Sequence, residues 1–211
     1  MPRNKLKTRA TIVSAAYKLF LRHGFARVSM DEVAHAAGLT KRTLYSHFAR
    51  KDALLESVLL EQQDLALAAF ATFGRDLTGS PEEIAHRYFD ELFRWSGEPR
   101  WPGSGFTRLA MELADLPGHP ARRIASRHKR LLEAQLAEVL ADAGLADAAA
   151  VARQIWILSE GAIALMLIHG DRSYCKPAET AALTLVRGAK AGTASAPAHR
   201  AGLRARRAQR M

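Results

Sequence analysis

The segment from Ser29 to Phe48, SMDEVAHAAGLTKRTLYSHF, constrains the fold of this chain more than any other. Ser29 and Glu32 stand three residues apart, a capping-box spacing that predicts the start of a helix. Gly38 is expected to end that helix, because glycine readily adopts the left-handed backbone found at helix ends. In the helix that follows, Leu44 and Phe48 are four residues apart and share one inward face. The segment therefore predicts two short helices joined by a tight turn.

The second helix would present polar side chains away from Leu44. These side chains are Lys41, Arg42, Thr43, Tyr45, Ser46 and His47. Arginine and lysine bind guanine edges or phosphates, threonine contacts thymine methyl groups, and tyrosine and histidine reach backbone oxygens. Tyr45 can instead pack beside Leu44, and His47 can cap or pack, whereas the pattern gives no structural role to Arg42 or Thr43. Such a pair of helices indicates a helix-turn-helix DNA-binding motif.

The N-terminal motifs are similar to those of the TetR family of bacterial one-component repressors. They are HGF at His23–Phe25, AAGLT at Ala36–Thr40 and TLYSHFARKDALL at Thr43–Leu55. This specific similarity covers about a quarter of the chain, and the remainder matches the family only in layout. The resemblance implies an N-terminal three-helix DNA-binding domain and a C-terminal helical bundle that senses a ligand and forms a dimer.

The resemblance also implies which residues of this N-terminal domain contact DNA. They are Ser29, Lys41, Arg42, Thr43, Tyr45, His47 and Lys51. Ser29 would bind a phosphate at the start of the second helix, and Lys51 would bind one at the start of the fourth.

Positive charge is concentrated at both ends of the chain. Residues 1–51 hold 11 lysines and arginines against the two acids Asp31 and Glu32, within a net charge of +10 for all 211 residues. These two acids stand at a helix start, where capping and the helix dipole favour them. Residues 52–186 carry 13 basic and 19 acidic side chains, and residues 187–211 carry 7 basic side chains and no acid. The pattern favours a phosphate-facing N-terminal domain on an acidic body.

The rest of the chain shows helical apolar spacing without strand-like alternation, which predicts an all-α fold. A long fourth helix should run from Lys51 to Gly74, and a sixth from Phe106 to Ala114. Asp147 should cap the eighth. We expect three parts: a DNA-binding domain at 1–50, an effector-binding and dimerisation domain at 51–191, and a disordered basic tail at 192–211.

The predicted eighth helix is apolar on nearly every side between Ile155 and Ile168, so it needs cover on every side. The resemblance implies that the last two helices form a four-helix dimer interface. The candidate interface residues are Ile155, Ser159, Ala162, Ile163, Met166, Leu183 and Val186.

A ligand pocket among the fourth to eighth helices is also implied. Its candidate residues are Phe70, Tyr88, Trp95, Trp101, Phe106, Arg108, Met111, Trp156 and Met166. Aromatic and methionine side chains at helical spacing are more often core than pocket lining, and Arg108 and Glu112 can orient a ligand or face water. A basic cluster at residues 122–130 is either a solvated face or a site for an anionic effector.

Other classes of protein find little support in the sequence. The charged N-terminus argues against a signal peptide, and the run from Ile155 to Ile168 is too short to cross a bilayer. One cysteine excludes an intramolecular disulfide framework, and the histidines lack metal-ligand spacing, so no cofactor or metal is expected. Gly103-Ser104-Gly105 lacks the third glycine of a dinucleotide site, and no G-x-S-x-G motif occurs, so an enzyme is not expected.

The sequence thus predicts a cytoplasmic transcriptional regulator, nucleoid-associated when bound to DNA. It would bind a palindromic double-stranded operator as a homodimer and act as a repressor that a small-molecule effector releases. The alternative is a nonspecific architectural DNA-binding protein. The basic tail favours this alternative, whereas the acidic body and the specific recognition face argue against it.

Overall fold

The computed structural model describes residues 2–194, with side chains for residues 4–75 and 77–189. Within that range the chain forms nine α-helices, one short 3-10 turn and no strand, which confirms the predicted all-α fold. The helices are α1 (Pro2–His23), α2 (Met30–Ala36), α3 (Lys41–His47), α4 (Lys51–Asp76), α5 (Pro81–Trp95), α6 (Gly105–Glu112), α7 (Pro120–Asp142), α8 (Ala148–His169) and α9 (Cys175–Ala194). The 3-10 turn, Arg172–Tyr174, lies between α8 and α9.

Side chains cap the starts of α2, α3, α5 and α6, whereas α8 starts without such a cap. Ser29 Oγ accepts from Glu32 N at 3.2 Å, while Ser29 N donates to Glu32 Oε2 at 2.7 Å. Ser80 and Glu83 repeat this capping box at the start of α5. Asp147 stands at the N-cap of α8, as predicted, but its side chain makes no capping hydrogen bond, because its backbone (φ −98°, ψ 36°) is not extended as a capping residue normally is.

Two predicted helix ends shift by a few residues. α4 passes through Gly74 and continues to Asp76, since an interior glycine costs a helix only about 1 kcal/mol and does not break it. α6 covers Gly105–Glu112 and ends before Ala114.

The described chain divides into two compact units. The first, called the N-terminal unit, comprises Met1–Phe73 and Glu98–Leu132. Its core joins the inner faces of α1 to α3 with residues from α4, α6 and the start of α7. The most deeply buried side chains include Ile12, Ala16, Val33, Leu44, Phe48, Leu54, Leu55 and Ala121. Phe20 and Phe25 pack together in an edge-to-face arrangement, with ring centroids 5.3 Å apart.

The second unit, called the C-terminal unit, comprises Gly74–Gly97 and the described residues from Glu133 onward. Helices α5, α8 and α9 pack together around Phe89, Ile155 and Val186, which are buried. Tyr88 Oη donates to Ser159 Oγ at 3.1 Å inside this core. The free thiol of Cys175 is buried beside the Phe89 carbonyl, and its burial raises the pKa to about 11.

Helix α8 is long and apolar enough to cross a membrane by length and composition. The prediction from the Ile155–Ile168 run missed this, because the helix begins seven residues earlier, at Ala148. Eight of its residues are buried, whereas Ile157, Leu165, Leu167 and Ile168 are exposed.

The predicted tail at 192–211 falls largely outside the described residues. Residues 192–194 belong to the end of α9. The boundaries predicted at residues 50 and 191 separate domains by their function, so they stay predictions.

Candidate nucleic-acid interface

The turn between α2 and α3 holds the second helix in a fixed orientation. Gly38 has a φ of 66°, in the left-handed region, and Leu39 N donates to the Ala34 carbonyl at 2.9 Å. Thr40 caps α3 by accepting a hydrogen bond from Thr43 N at 3.1 Å. Leu44 is fully buried in the core of the N-terminal unit, so the opposite side of α3 faces outward.

The outward side of α3 carries the predicted recognition residues. Arg42 is exposed, and Tyr45 is 43% exposed, which is compatible both with a DNA contact and with partial packing beside Leu44. Thr43 is half-buried, and its hydroxyl lies 2.9 Å from that of Thr40. His47 is also half-buried. Arg42 and Tyr45 are therefore available to a ligand, as are Lys41 and Ser46, which are also exposed.

Lys41 is exposed but has an acidic partner. Its Nζ lies 2.9 Å from Asp31 Oδ2, and both side chains are more than 60% exposed. The bond to Asp31 raises the pKa of Lys41. The bridge connects the first turn of α2 to the first turn of α3.

Ser29 is engaged in the capping box of α2. Its hydroxyl donates to Glu32 Oε2 at 2.8 Å. Hydrogen bonds from the Ser29 backbone and side chain lower the pKa of Glu32. The phosphate contact expected of Ser29 stays a prediction.

Lys51, the residue expected to bind a phosphate at the start of α4, contacts the turn between α1 and α2. Its Nζ donates to the Ala26 carbonyl at 3.2 Å and lies 4.3 Å from the centre of the Phe25 ring. Burial lowers the pKa of this ammonium group. Lys51 thus links the start of α4 to the turn between α1 and α2. Its ammonium group has further N–H donors, and the phosphate contact expected of it stays a prediction.

Arg9 contacts the C-terminal end of α3, a role that the sequence did not predict. Its guanidinium lies 4.1 Å from the centre of the Phe48 ring and donates to Ser57 Oγ at 2.7 Å. The same group reaches the His47 carbonyl at 3.5 Å, at the C-terminal end of α3. Arg9 therefore links α1, α3 and α4. The position of Arg9 in α1 indicates an exposed basic residue. It does not indicate contacts with residues about 40 or more positions away in the sequence.

Two residues of α6 hold the turn between α1 and α2. Glu112 accepts hydrogen bonds from Phe25 N at 3.0 Å and from Ala26 N at 2.6 Å. Arg108 donates to the Leu21 carbonyl at 3.0 Å, in the last turn of α1. Both residues thus make structural contacts within the N-terminal unit, and the prediction that Arg108 orients a ligand stays a prediction.

Gly24 is needed where α6 meets this turn. Its φ is +85°, and a Cβ atom there would lie 3.2 Å from Glu112 Oε1. A cleft of about 650 Å³ opens beside it. The lining consists of Arg22, His23, Gly24, Ala26, Arg27, Val28, Glu32, Arg108 and Glu112. Of the predicted ligand residues, the cleft includes Arg108.

The other predicted ligand residues of the N-terminal unit differ in how far they are buried. Phe106 is buried and stacks on His128, with ring centroids 3.8 Å apart. Phe70 and Trp101 are half-buried. Met111 is 67% exposed, so it faces solvent instead of lining an enclosed pocket.

In the C-terminal unit, Tyr88 and Trp156 come together, with ring centroids 6.5 Å apart. Met166 is buried and Trp95 is half-buried. Tyr88 is buried and bonded to Ser159, as expected of a core tyrosine.

The predicted dimer-interface residues lie mainly in the core of the C-terminal unit. Six are buried within the single chain: Ile155, Ser159, Ala162, Ile163, Met166 and Val186. Leu183 is half-buried. A second copy cannot reach the buried side chains while this unit is folded, which corrects their assignment to a surface. The apolar pattern of α8 showed that every side needs cover, but not which side its own unit covers.

Comparison with known proteins agrees with the geometry of the N-terminal helices. Residues 12–58 match the family model described as bacterial regulatory proteins, tetR family. The regulator UidR of Escherichia coli K12 is 38% identical over 63 residues, which is 30% of this chain and 32% of UidR. The chain therefore matches about a third of the length of this curated relative.

Solved structures extend the similarity over most of the chain. SAV143 from Streptomyces avermitilis, described as a TetR transcriptional regulator, is 30% identical, with a TM-score of 0.72 over 87% of this chain and 98% of that one. A TetR-family regulator from Streptomyces coelicolor, SCO4454, is 26% identical, with a TM-score of 0.70 over 86% and 93% of the two chains. The chain belongs to the TetR family of bacterial regulatory proteins.

Proposed function

We propose that this protein is a sequence-specific, DNA-binding transcriptional regulator whose helix α3 enters the major groove. The observation that carries this proposal is the two-sided character of α3. Leu44 is buried on its inner side, while Arg42 and Tyr45 are exposed on its outer side. A helix held in this way can place an arginine against guanine edges and a tyrosine against the DNA backbone.

We propose that the regulator is a homodimer and that a second copy covers the outer side of α8. Ile157 is 65% exposed, Leu165 39% and Ile168 71%, and Gly161 is also exposed. These positions recur at intervals of three or four residues and form one stripe. Exposed apolar stripes of this kind mark interaction surfaces. A twofold dimer would present two copies of α3 to the two halves of a palindromic operator.

We further propose that the protein is a repressor and that a small molecule releases it from the operator. Buried amide oxygens support ligand binding. Within the part of the chain that the structure describes, Gln63 Oε1 and Gln135 Oε1 are buried without a hydrogen-bond partner. Buried polar atoms are normally satisfied, so each oxygen offers an acceptor to a donor group of a ligand or to water. The sequence pattern did not single out either glutamine.

The cytoplasm is the compartment that this function requires, because the DNA is there. Membership of a family of bacterial regulators supports that location.

Selection of binding sites from a random duplex library by the full chain tests the proposed function. We expect enrichment of one palindromic motif, followed by protection of that motif in footprinting when excess bulk DNA is present. Binding to all duplexes with equal affinity would instead support the architectural alternative. Dissociation of the selected complex by a compound from a metabolite library would identify the effector.

A further inference from the structure

Asp31 is an unusual residue to find beside a DNA-binding helix, because its carboxylate would be repelled by phosphates. Residues 1–51 contain two acidic residues, and the other one, Glu32, is engaged in the capping box with Ser29. The Asp31 carboxylate is 62% exposed and bonded to Lys41 Nζ at 2.9 Å. Its neighbour Lys41 is the first residue of α3.

Fold stability gives little reason for this bridge. Ion pairs between exposed side chains contribute little to stability, since water screens both charges. The bridge does, however, change what the surface offers to DNA. Nonspecific affinity comes from cations that neutralise phosphates, and a lysine already paired with a carboxylate contributes less to it.

A carboxylate that lies against the major groove also distinguishes between base pairs. Once DNA covers Asp31, its oxygens need a hydrogen-bond donor to replace water, because an unpaired charge at an interface is costly. Exocyclic amino groups, cytosine N4 and adenine N6, are the base donors in the major groove. A sequence without such an amino group at this position would leave the carboxylate unpaired.

Resting on the proposed function, we propose that Asp31 and Lys41 form a specificity-determining pair. In nonspecific complexes, the ion pair with Asp31 keeps Lys41 from binding phosphates. At the operator, the Asp31 carboxylate accepts a hydrogen bond from an exocyclic amino group. Asp31 thereby lowers the affinity for random DNA and fixes one base pair of the operator.

Asp31→Ala tests both parts of this inference. On a scrambled duplex, the freed Lys41 should gain about one phosphate contact, so between 50 and 200 mM salt the affinity should fall about 3-fold more than that of the unmodified chain. In site selection, Asp31→Ala should lose the preference at one base pair in each half-site. The base lost from the motif, cytosine or adenine, identifies the amino group.

Two further variants separate this pairing from a general charge effect. In a Lys41→Met background, Asp31→Ala should not steepen the salt dependence, because no lysine is released. Asp64→Ala removes the same charge from an exposed position on α4 and should leave both the salt dependence and the motif unchanged.

The inference is overturned if Asp31→Ala retains the preference at every base pair, or if its salt dependence matches that of the unmodified chain. An equal change in Asp64→Ala would also overturn it. Failure of the unmodified chain to enrich any motif would contradict the proposed function itself, and the scrambled-duplex measurements would still test the coupling of Asp31 to Lys41.

Discussion

Arg42 and Lys51 show that two cations predicted to bind the same DNA have different structural roles. Arg42 is exposed on α3, so its removal changes the surface without changing the core. Lys51 bonds to the Ala26 carbonyl and lies against the Phe25 ring, so its removal also affects the fold. Their residue types show that both are basic, and their positions in the motif place both near DNA. Neither observation shows which of them has a partner within the protein.

Arg42→Ala should weaken operator binding by about 1–3 kcal/mol and relax the sequence preference, because a base contact is lost while nonspecific phosphate contacts remain. Its melting temperature should be unchanged. Lys51→Ala should lower both DNA affinity and the melting temperature. Operator titrations and thermal melts of the two variants check this, and a stable Lys51→Ala protein would show that its bond to Ala26 is unimportant.

The capping box of α2 should make stability depend on pH in the acidic range. Its hydrogen bonds from Ser29 lower the pKa of Glu32 in the folded protein. A lowered folded-state pKa means that the stabilisation is present above the pKa of the unfolded chain and is lost as the pH falls through the folded value. Glu32→Gln should therefore destabilise the protein at pH 7 and have a smaller effect near pH 3. Urea denaturation at both pH values measures this, with Glu61→Gln, an exposed position on α4, as control.

At the scale of helices, the sequence predicted those parts of the fold that local chemistry determines. Ser29 and Gly38 were expected to start and end α2, and the structure has the Ser29 capping box and a left-handed Gly38. The contacts of α6 with the turn after α1 were not predicted, because they join residues more than 80 positions apart. No periodicity within one helix reports which distant backbone groups its charged side chains will meet.

Glu112→Ala should destabilise the N-terminal unit by about 1–3 kcal/mol, because the amide groups of Phe25 and Ala26 lose their acceptor. Met111→Ala is a matched control on the same helix, since Met111 is 67% exposed and should change stability little. Urea denaturation of the two variants gives the comparison. Equal stability of Glu112→Ala and the unmodified chain would mean that water satisfies both amides without cost.

For the whole molecule, the distribution of charge and of exposed apolar surface agrees with the proposed dimer on DNA. Positive charge is concentrated in residues 1–51, whereas residues 52–186 carry a net negative charge. The exposed apolar stripe of α8 lies in the C-terminal unit. The sequence predicted an apolar helix that needs a partner. Only the folded unit shows that Ile157 and Ile168 are exposed while Ile155 and Ile163 are buried.

Ile157→Arg and Ile163→Arg should separate assembly from folding on the same helix. Ile157 is 65% exposed, so an arginine there leaves the unit folded but places a charge in the dimer contact, and the protein should become a soluble monomer. Its operator affinity should fall strongly, because a monomer engages one half-site. Ile163 is 9% exposed, so an arginine there buries a charge and should prevent stable folding. Sedimentation analysis and circular dichroism distinguish these outcomes. A dimer of Ile157→Arg with unchanged stability would exclude this stripe as the interface.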